Sequence, residues 1–163
     1  FQEYMVKLRT ELDVRSIRFA GIEAAKPGPG VIESLADAEM VILAPSNPFV
    51  SIGPILGVPG VRAALETTKA VRVAISPIIA GQVVKGPAAK MMTTLGYEVS
   101  ALGVAKIYNG LVDLFVLDEQ DRALAPTIEA LGMRTLVTDT MMTSMERKAE
   151  LAREVVAAAR GAR

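Results

Sequence analysis

The chain has 163 residues, 51% of them hydrophobic and 22% charged, and at this length roughly 68–70% of the unfolded surface can be buried without the help of disulfides. It holds no histidine and no cysteine, which excludes a Ser-His-Asp triad, Cys-His nucleophile pairs and zinc sites with nitrogen or sulfur ligands, and leaves oxygen-bound magnesium as the expected metal. Its 18 basic side chains balance 18 acidic ones and its apolar runs fall far short of the ~20 residues that span a bilayer, so the expected compartment is the cytoplasm, with no nucleic-acid and no membrane partner.

The first residue is Phe1, and residues 2–9 carry Tyr4, Met5 and Leu8 at the spacing of a helix already under way. The expectation is a single α/β domain over residues 1–163 that continues upstream of Phe1 in a longer polypeptide. Apolar runs at 14–19, 40–44, 71–75, 114–117 and 135–138 predict strands, and amphipathic runs at 30–36, 61–67, 88–95, 101–108, 126–131 and 145–159 predict helices. That alternation predicts parallel βαβ units, hence a three-layer α/β fold with a mostly parallel Rossmann-like sheet and helices on both faces. The runs at 40–44, 71–75 and 114–117 lack polar alternation and read as buried on both sides. Ser100 is placed to cap the helix at 101–108, Gly110 to end it, and Pro87 suits a first helical position. The methionine pairs Met91-Met92 and Met141-Met142 read as core filler, and the mixed charges of 145–159 as a solvated face.

Ligands of open parallel sheets bind beyond the carboxyl ends of the strands, so the segments after each strand carry the chemistry. After the run at 40–44 comes Pro45-Ser46-Asn47-Pro48, then Ser51-Ile52-Gly53-Pro54. Ser46, Asn47 and Ser51 offer uncharged donors and acceptors in a proline-stiffened loop, or alternatively cap ordinary turns. After the run at 71–75 comes Ser76-Pro77, and then Lys85-Gly86-Pro87 leading into a helix. Lys85 could add a point charge to amides suited to phosphate, or could be a plain solvated lysine. Gly81 and Gly86 have the glycine spacing of a P-loop, but Pro87-Ala88 stands where its lysine and hydroxyl belong; Gly28-Pro29-Gly30 reads as a turn. Asp118, Glu119 and Asp121 could share a magnesium ion, cap a helix or face water.

Taken together, Pro45-Ser46-Asn47-Pro48, Ser51-Ile52-Gly53-Pro54-Ile55-Leu56, Ser76-Pro77-Ile78, Lys85-Gly86-Pro87-Ala88-Ala89-Lys90-Met91, the stretch 100–105 and Val137-Thr138-Asp139-Thr140 resemble the 2-phospho-L-lactate transferase family, CofD, in the same order along the chain. The resemblance is to the carboxyl-terminal portion of that family. It implies a transferase of coenzyme F-420 biosynthesis, moving a 2-phospholactyl or phosphoenolpyruvyl group from a guanosine diphosphate-linked donor to the deazaflavin alcohol FO, with release of GMP. It also implies magnesium, held by aspartates of the family's amino-terminal portion; neither these nor the family's glycine-rich strand-to-helix turn is visible here. On this reading Ser46, Asn47, Pro48, Ser51 and Ser76 position the ligand, Lys85 and Gly86 meet phosphate, and Asp139 is the available general base. A homodimer is the default assembly. Two other readings are a non-catalytic nucleotide-sugar sensor of the same fold, and an assembly domain whose Leu151, Val155 and Val156 form a self-association face.

Overall fold

The computed structural model describes residues 1–83 and 86–161. Its helices are α1 (Val31–Asp37), α2 (Gly53–Gly57), α3 (Val61–Thr67), α4 (Ala88–Thr94), α5 (Ala101–Ile107), α6 (Ala125–Glu129) and α7 (Met145–Arg160); its strands are β1 (Met40–Leu43), β2 (Val71–Ile75), β3 (Ile78–Ile79), β4 (Gln82–Val83), β5 (Leu114–Asp118) and β6 (Arg134–Thr138). Four strands form a wholly parallel sheet in the order β1-β2-β5-β6.

Strand alternation divides the core in two. Ala74, Phe115 and Leu117 point to the side covered by Leu65 of α3, Met92 of α4, Leu102 and Val104 of α5 and Ile128 of α6. Val73, Ile75, Leu114 and Val116 point to the other side, where Leu151, Val155 and Ala159 of α7 pack on them. Right-handed crossovers between strands added in one direction place every connecting helix on one face, so the second face is left to the terminal helix. The result is the three-layer α/β arrangement that the alternation predicts. It corrects the assembly-face reading: Leu151 and Val155 are 3% and 1% exposed inside the core.

Three further corrections have local causes. Residues 14–19 join no strand; the Val14 amide donates to Thr94 Oγ1 instead, and Phe19 lies against Gly53 and Gly57. The proline-rich loop is a π-type turn, Pro48–Ile52, running into α2. Asn47 Oδ1 accepts from the Phe49 and Val50 amides at 2.9 and 3.2 Å, and Pro48 and Pro54 stand where helical turns tolerate a missing N–H. Residues after β2 form the short antiparallel pair β3-β4, closed by Ala80 and Gly81 with φ of 48° and 74°. Positive φ at both central residues is the type I′ hairpin geometry, which asparagine or aspartate normally announces.

Ala80 is exposed, and its amide donates to Asp121 Oδ2 at 3.0 Å. A left-handed alanine costs about 1–2 kcal/mol that glycine does not. Ala80→Gly, which also loosens the unfolded chain, is expected to stabilise the protein by about 1 kcal/mol, read as a rise of roughly 2–4 °C in Tm. An unchanged or lower Tm would contradict the hairpin geometry.

Candidate functional site

The carboxyl ends of β1, β2 and β6 open into one crevice of about 430 Å³. Pro45 and Asn47 follow β1, Ser76 and Pro77 follow β2, the run Thr140 to Thr143 follows β6, and Lys148 comes from the second turn of α7. Two of the sequence-predicted residues, Asn47 and Ser76, therefore meet here, and both also hold their own loops. Asn47 caps its own turn, with Nδ2 3.6 Å from Met91 Sδ. Ser76 is 2% exposed; its hydroxyl accepts from the Ile78 amide and donates to the Ile78 carbonyl, holding the entry to β3.

The other predicted residues are spread around this crevice. Ser46 and Ser51 line a separate apolar groove beside β1. Pro48 is buried and faces a third hollow with Phe49 and Tyr97, whose rings lie 5.4 Å apart. Gly86 has φ +84° and leads into α4. Lys85 lies outside the described residues. Asp139 is exposed and is not among the crevice-lining groups: its Oδ1 accepts from the Met141 amide at 2.9 Å, and its Oδ2 lies 3.6 Å from Arg147 Nε.

The sequence reading missed the wall formed by residues 140–143 and Lys148. Thr140 is placed by Asp118, whose Oδ2 accepts both the Thr140 amide and the Thr140 hydroxyl, while its Oδ1 accepts the Gln120 amide. Burial raises the Asp118 pKa, but these donors outweigh it and hold the carboxyl below its ordinary value. Asp121, by contrast, is pushed up by burial and by the neighbouring Asp118 charge, against the pull of the Ala80 amide. Met91 and Met92 are core, as read, but Met141 and Met142 line the crevice, and Met142 is 44% exposed.

The charges around α7 are sorted by Arg147. Its guanidinium bonds the Asp139 carbonyl, Glu150 and Glu154, and Glu154 in turn bonds the Thr138 hydroxyl. These acids are thereby compensated. The Lys148 amide donates to the Ser144 carbonyl, but its ammonium has no ion pair or hydrogen bond among the described residues, and of these it is the one charged group on the crevice wall. It stands one turn past the Ser144 cap, which accepts from the Arg147 amide at 3.1 Å, so the positive end of a 16-residue helix adds to its field.

Among the described residues no three acidic side chains are arranged to hold a metal ion. Asp118 and Asp121 spend their oxygens on amides and a hydroxyl. No single helix among them is long and apolar enough to cross a membrane.

A four-stranded parallel sheet with helices on both faces and a crevice at its carboxyl edge defines the Rossmann-like α/β class of protein. The model of the family described as 2-phospho-L-lactate transferase CofD matches residues 1–158, and the chain belongs to that family. It is 44% identical over 158 residues to the 2-phospho-L-lactate transferase of Methanosarcina mazei, covering 97% of this chain and 52% of that protein. It is 41% identical over 160 residues to the phosphoenolpyruvate transferase of Kitasatospora aureofaciens, covering 98% of this chain and 50% of that one. The chain thus spans about half the length of the curated relatives it matches. A solved UPF0052-family protein from Bacillus halodurans is similar over 70% of this chain and 40% of its own, with 17% identity and a TM-score of 0.44.

Proposed function

We propose that this chain forms part of a transferase that moves a 2-phospholactyl or phosphoenolpyruvyl group from a guanosine diphosphate-linked donor to the primary hydroxyl of FO, in coenzyme F-420 biosynthesis. The observation that carries the reading is the unpaired Lys148 on a crevice of about 430 Å³ at the carboxyl edge of the sheet, in a chain whose relatives are named as transferases of these two groups.

In this reaction the acceptor oxygen bonds to the β-phosphorus, the bond from that phosphorus to the bridging oxygen breaks, and GMP leaves with the electron pair. The hydroxyl proton passes to a carboxylate, for which Asp139, next to the Thr140 wall, is the candidate. Lys148 and the amino end of α7 offset the charge of the diphosphate. Lys85 is a further candidate phosphate contact by its place in the sequence before Gly86, which leads into α4, whose Ala88 lines the crevice. Asn47 and Ser76 keep their loops in place, while Pro45, Pro77 and the methionines supply flat apolar walls for a heterocycle. Such catalysis rests on alignment and electrostatics. The protein acts in the cytoplasm on small molecules.

The test is calorimetric binding of GDP to the 163-residue chain and to Lys148→Met. A hydrogen bond to a charged group contributes about 1.5–3 kcal/mol, so the variant is expected to bind at least tenfold more weakly. Equal affinities would remove Lys148 from the site. Preference for a uridine-linked sugar, with FO fluorescence unchanged on mixing, would replace the transferase reading by the nucleotide-sugar sensor.

A further inference from the structure

The amino ends of the strands form a second charged hollow. Thr68 and Lys69 lead into β2, Arg72 lies in its first residues, Asp113 precedes β5 and Arg134 begins β6, and they line a space of about 430 Å³. A five-residue parallel strand is about 16 Å long, so this hollow lies at the far end of the sheet from the crevice.

Its charge is unbalanced. Lys69, Arg72 and Arg134 stand with a single carboxylate, Asp113. Arg72 occupies that carboxylate fully: Oδ2 accepts from the Arg72 amide at 2.8 Å and from Nε at 3.0 Å, and Oδ1 accepts from Nη2. The Arg72 side chain is 18% exposed and held by both carboxylate oxygens, so its guanidinium is fixed, with Nη1 making no hydrogen bond among the described residues. Glu66, whose charge also reaches Arg72, is itself paired with Arg62. Lys69 and Arg134 are exposed, and neither side chain makes an ion pair or hydrogen bond among the described residues; Arg134 acts on Asp113 only through space.

The backbone here is already spent. The Ala70 amide donates to Thr68 Oγ1, the Val71 amide to the Glu39 carbonyl, the Asp113 amide to the Arg72 carbonyl and the Arg134 amide to the Asp113 carbonyl. A ligand would therefore be recognised by side-chain cations, which carry two positive charges in excess. Arg72 and Arg134 belong to strands separated by β5, with backbones about 10 Å apart. Cations spread over that width suit linked anionic groups better than one small ion, and guanidinium and ammonium groups bind phosphate and carboxylate oxygens. The zero net charge of the chain speaks against a nucleic-acid track, and the concave shape favours a small molecule.

We propose that the hollow at the amino ends of β2, β5 and β6 binds a small multivalent oxyanion, with two or more linked phosphate or carboxylate groups, through Lys69, Arg134 and Arg72 Nη1. The proposal does not depend on the reaction assigned above.

The experiment is an NMR titration of the isotope-labelled 163-residue chain with inorganic triphosphate, with citrate, and with sulfate at matched ionic strength. The amides of residues 69–72, 113 and 134 report on the hollow and those of 140–143 and 148 on the crevice, so failure here and failure of GDP binding there are read separately. Triphosphate or citrate is expected to shift the first set saturably, at a concentration at least tenfold below that at which sulfate does. Tighter binding of triphosphate assigns the phosphate class, and tighter binding of citrate the carboxylate class. Lys69→Ala combined with Arg134→Gln weakens this binding at least tenfold. Both side chains are exposed and unpaired, so Tm at neutral pH and the response of residues 140–148 to GDP stay unchanged. Arg72 is kept in the test protein because its pair with Asp113 joins β2 to β5. The absence of a saturable shift at 69–72, 113 and 134 would overturn the proposal. So would an equal effect of sulfate, which is screening alone, or a double variant that binds as tightly as the parent.

Discussion

Gly103→Ala is expected to destabilise the protein by about 3 kcal/mol or more, lowering Tm by roughly 6–12 °C. A Cβ at this position would meet the Glu98 carbonyl oxygen at 1.9 Å and Met92 Cε at 2.9 Å. Neither neighbour has room to move. The carbonyl belongs to the turn that admits the chain into α5, and Met92 is fully buried in the larger core. The Gly103 amide is also the donor to the capping Ser100 Oγ at 3.0 Å, so a shift that relieves the clash breaks the cap. Ser100→Ala removes the cap alone and should cost about 1 kcal/mol. Thermal unfolding followed by circular dichroism separates the two, and a loss below about 1 kcal/mol for Gly103→Ala would mean that α5 does not sit against the 98 carbonyl.

The second large effect is at the carboxyl end of β5. Asp118 is 3% exposed and accepts three hydrogen bonds, two of them from Thr140. Asp118→Ala leaves buried donors unpaired and is expected to cost about 3 kcal/mol; it also frees Thr140 from the crevice wall, so GDP binding falls with stability. The pH dependence gives an independent check. The folded Asp118 pKa is depressed, so its stabilisation is present above the unfolded carboxylate value of about 3.9 and is lost as pH falls through the lower folded value. Asp113 behaves alike: burial opposes, but the Arg72 guanidinium and amide prevail. Asp121 has the opposite sign. Its raised pKa favours the folded state below the unfolded value, and that advantage disappears as pH rises through the folded value. Asp118→Asn should therefore lose stability at neutral pH and flatten the acid limb of a urea-unfolding series. Asp121→Asn keeps an acceptor for the Ala80 amide and should be more stable than the parent at neutral pH. Matching signs for the two variants would refute this account of β5.

Much of the scaffold could be read from the chain because its signals are local. The run at 71–75 is β2 without correction, and 61–67 is α3, since hydrophobic period and flanking glycines act within a few residues. Ser100 could be read as a cap because the bond it makes is to its own helix. The turn at 48–52 could not: its helical hydrogen bonds depend on how Asn47 orients, and proline spacing suggested a loop. The β3-β4 hairpin was hidden because alanine occupies a left-handed position stabilised by Asp121, a residue 41 positions away.

The candidate site shows the same division. The family-like loop after β1 stands at a carboxyl edge, where Asn47 and Ser76 line the crevice and also hold the backbone, while Ser46 and Ser51 line a different groove. Lys148 looked like one more charge on a solvated helix. It becomes distinctive only because Arg147 engages Asp139, Glu150 and Glu154, leaving one cation on the wall of a shared cavity.

By itself the sequence determined the four strands of the parallel sheet, most helix starts, the absence of thiol and imidazole side chains from this chain, and the family resemblance, all of which follow from residue identity and short-range periodicity. Only the tertiary structure decided which strand ends converge, which hydroxyls are already used and which cations are uncompensated. Those properties arise from packing between elements far apart in the chain, where burial and pairing depend on neighbours that no local window contains.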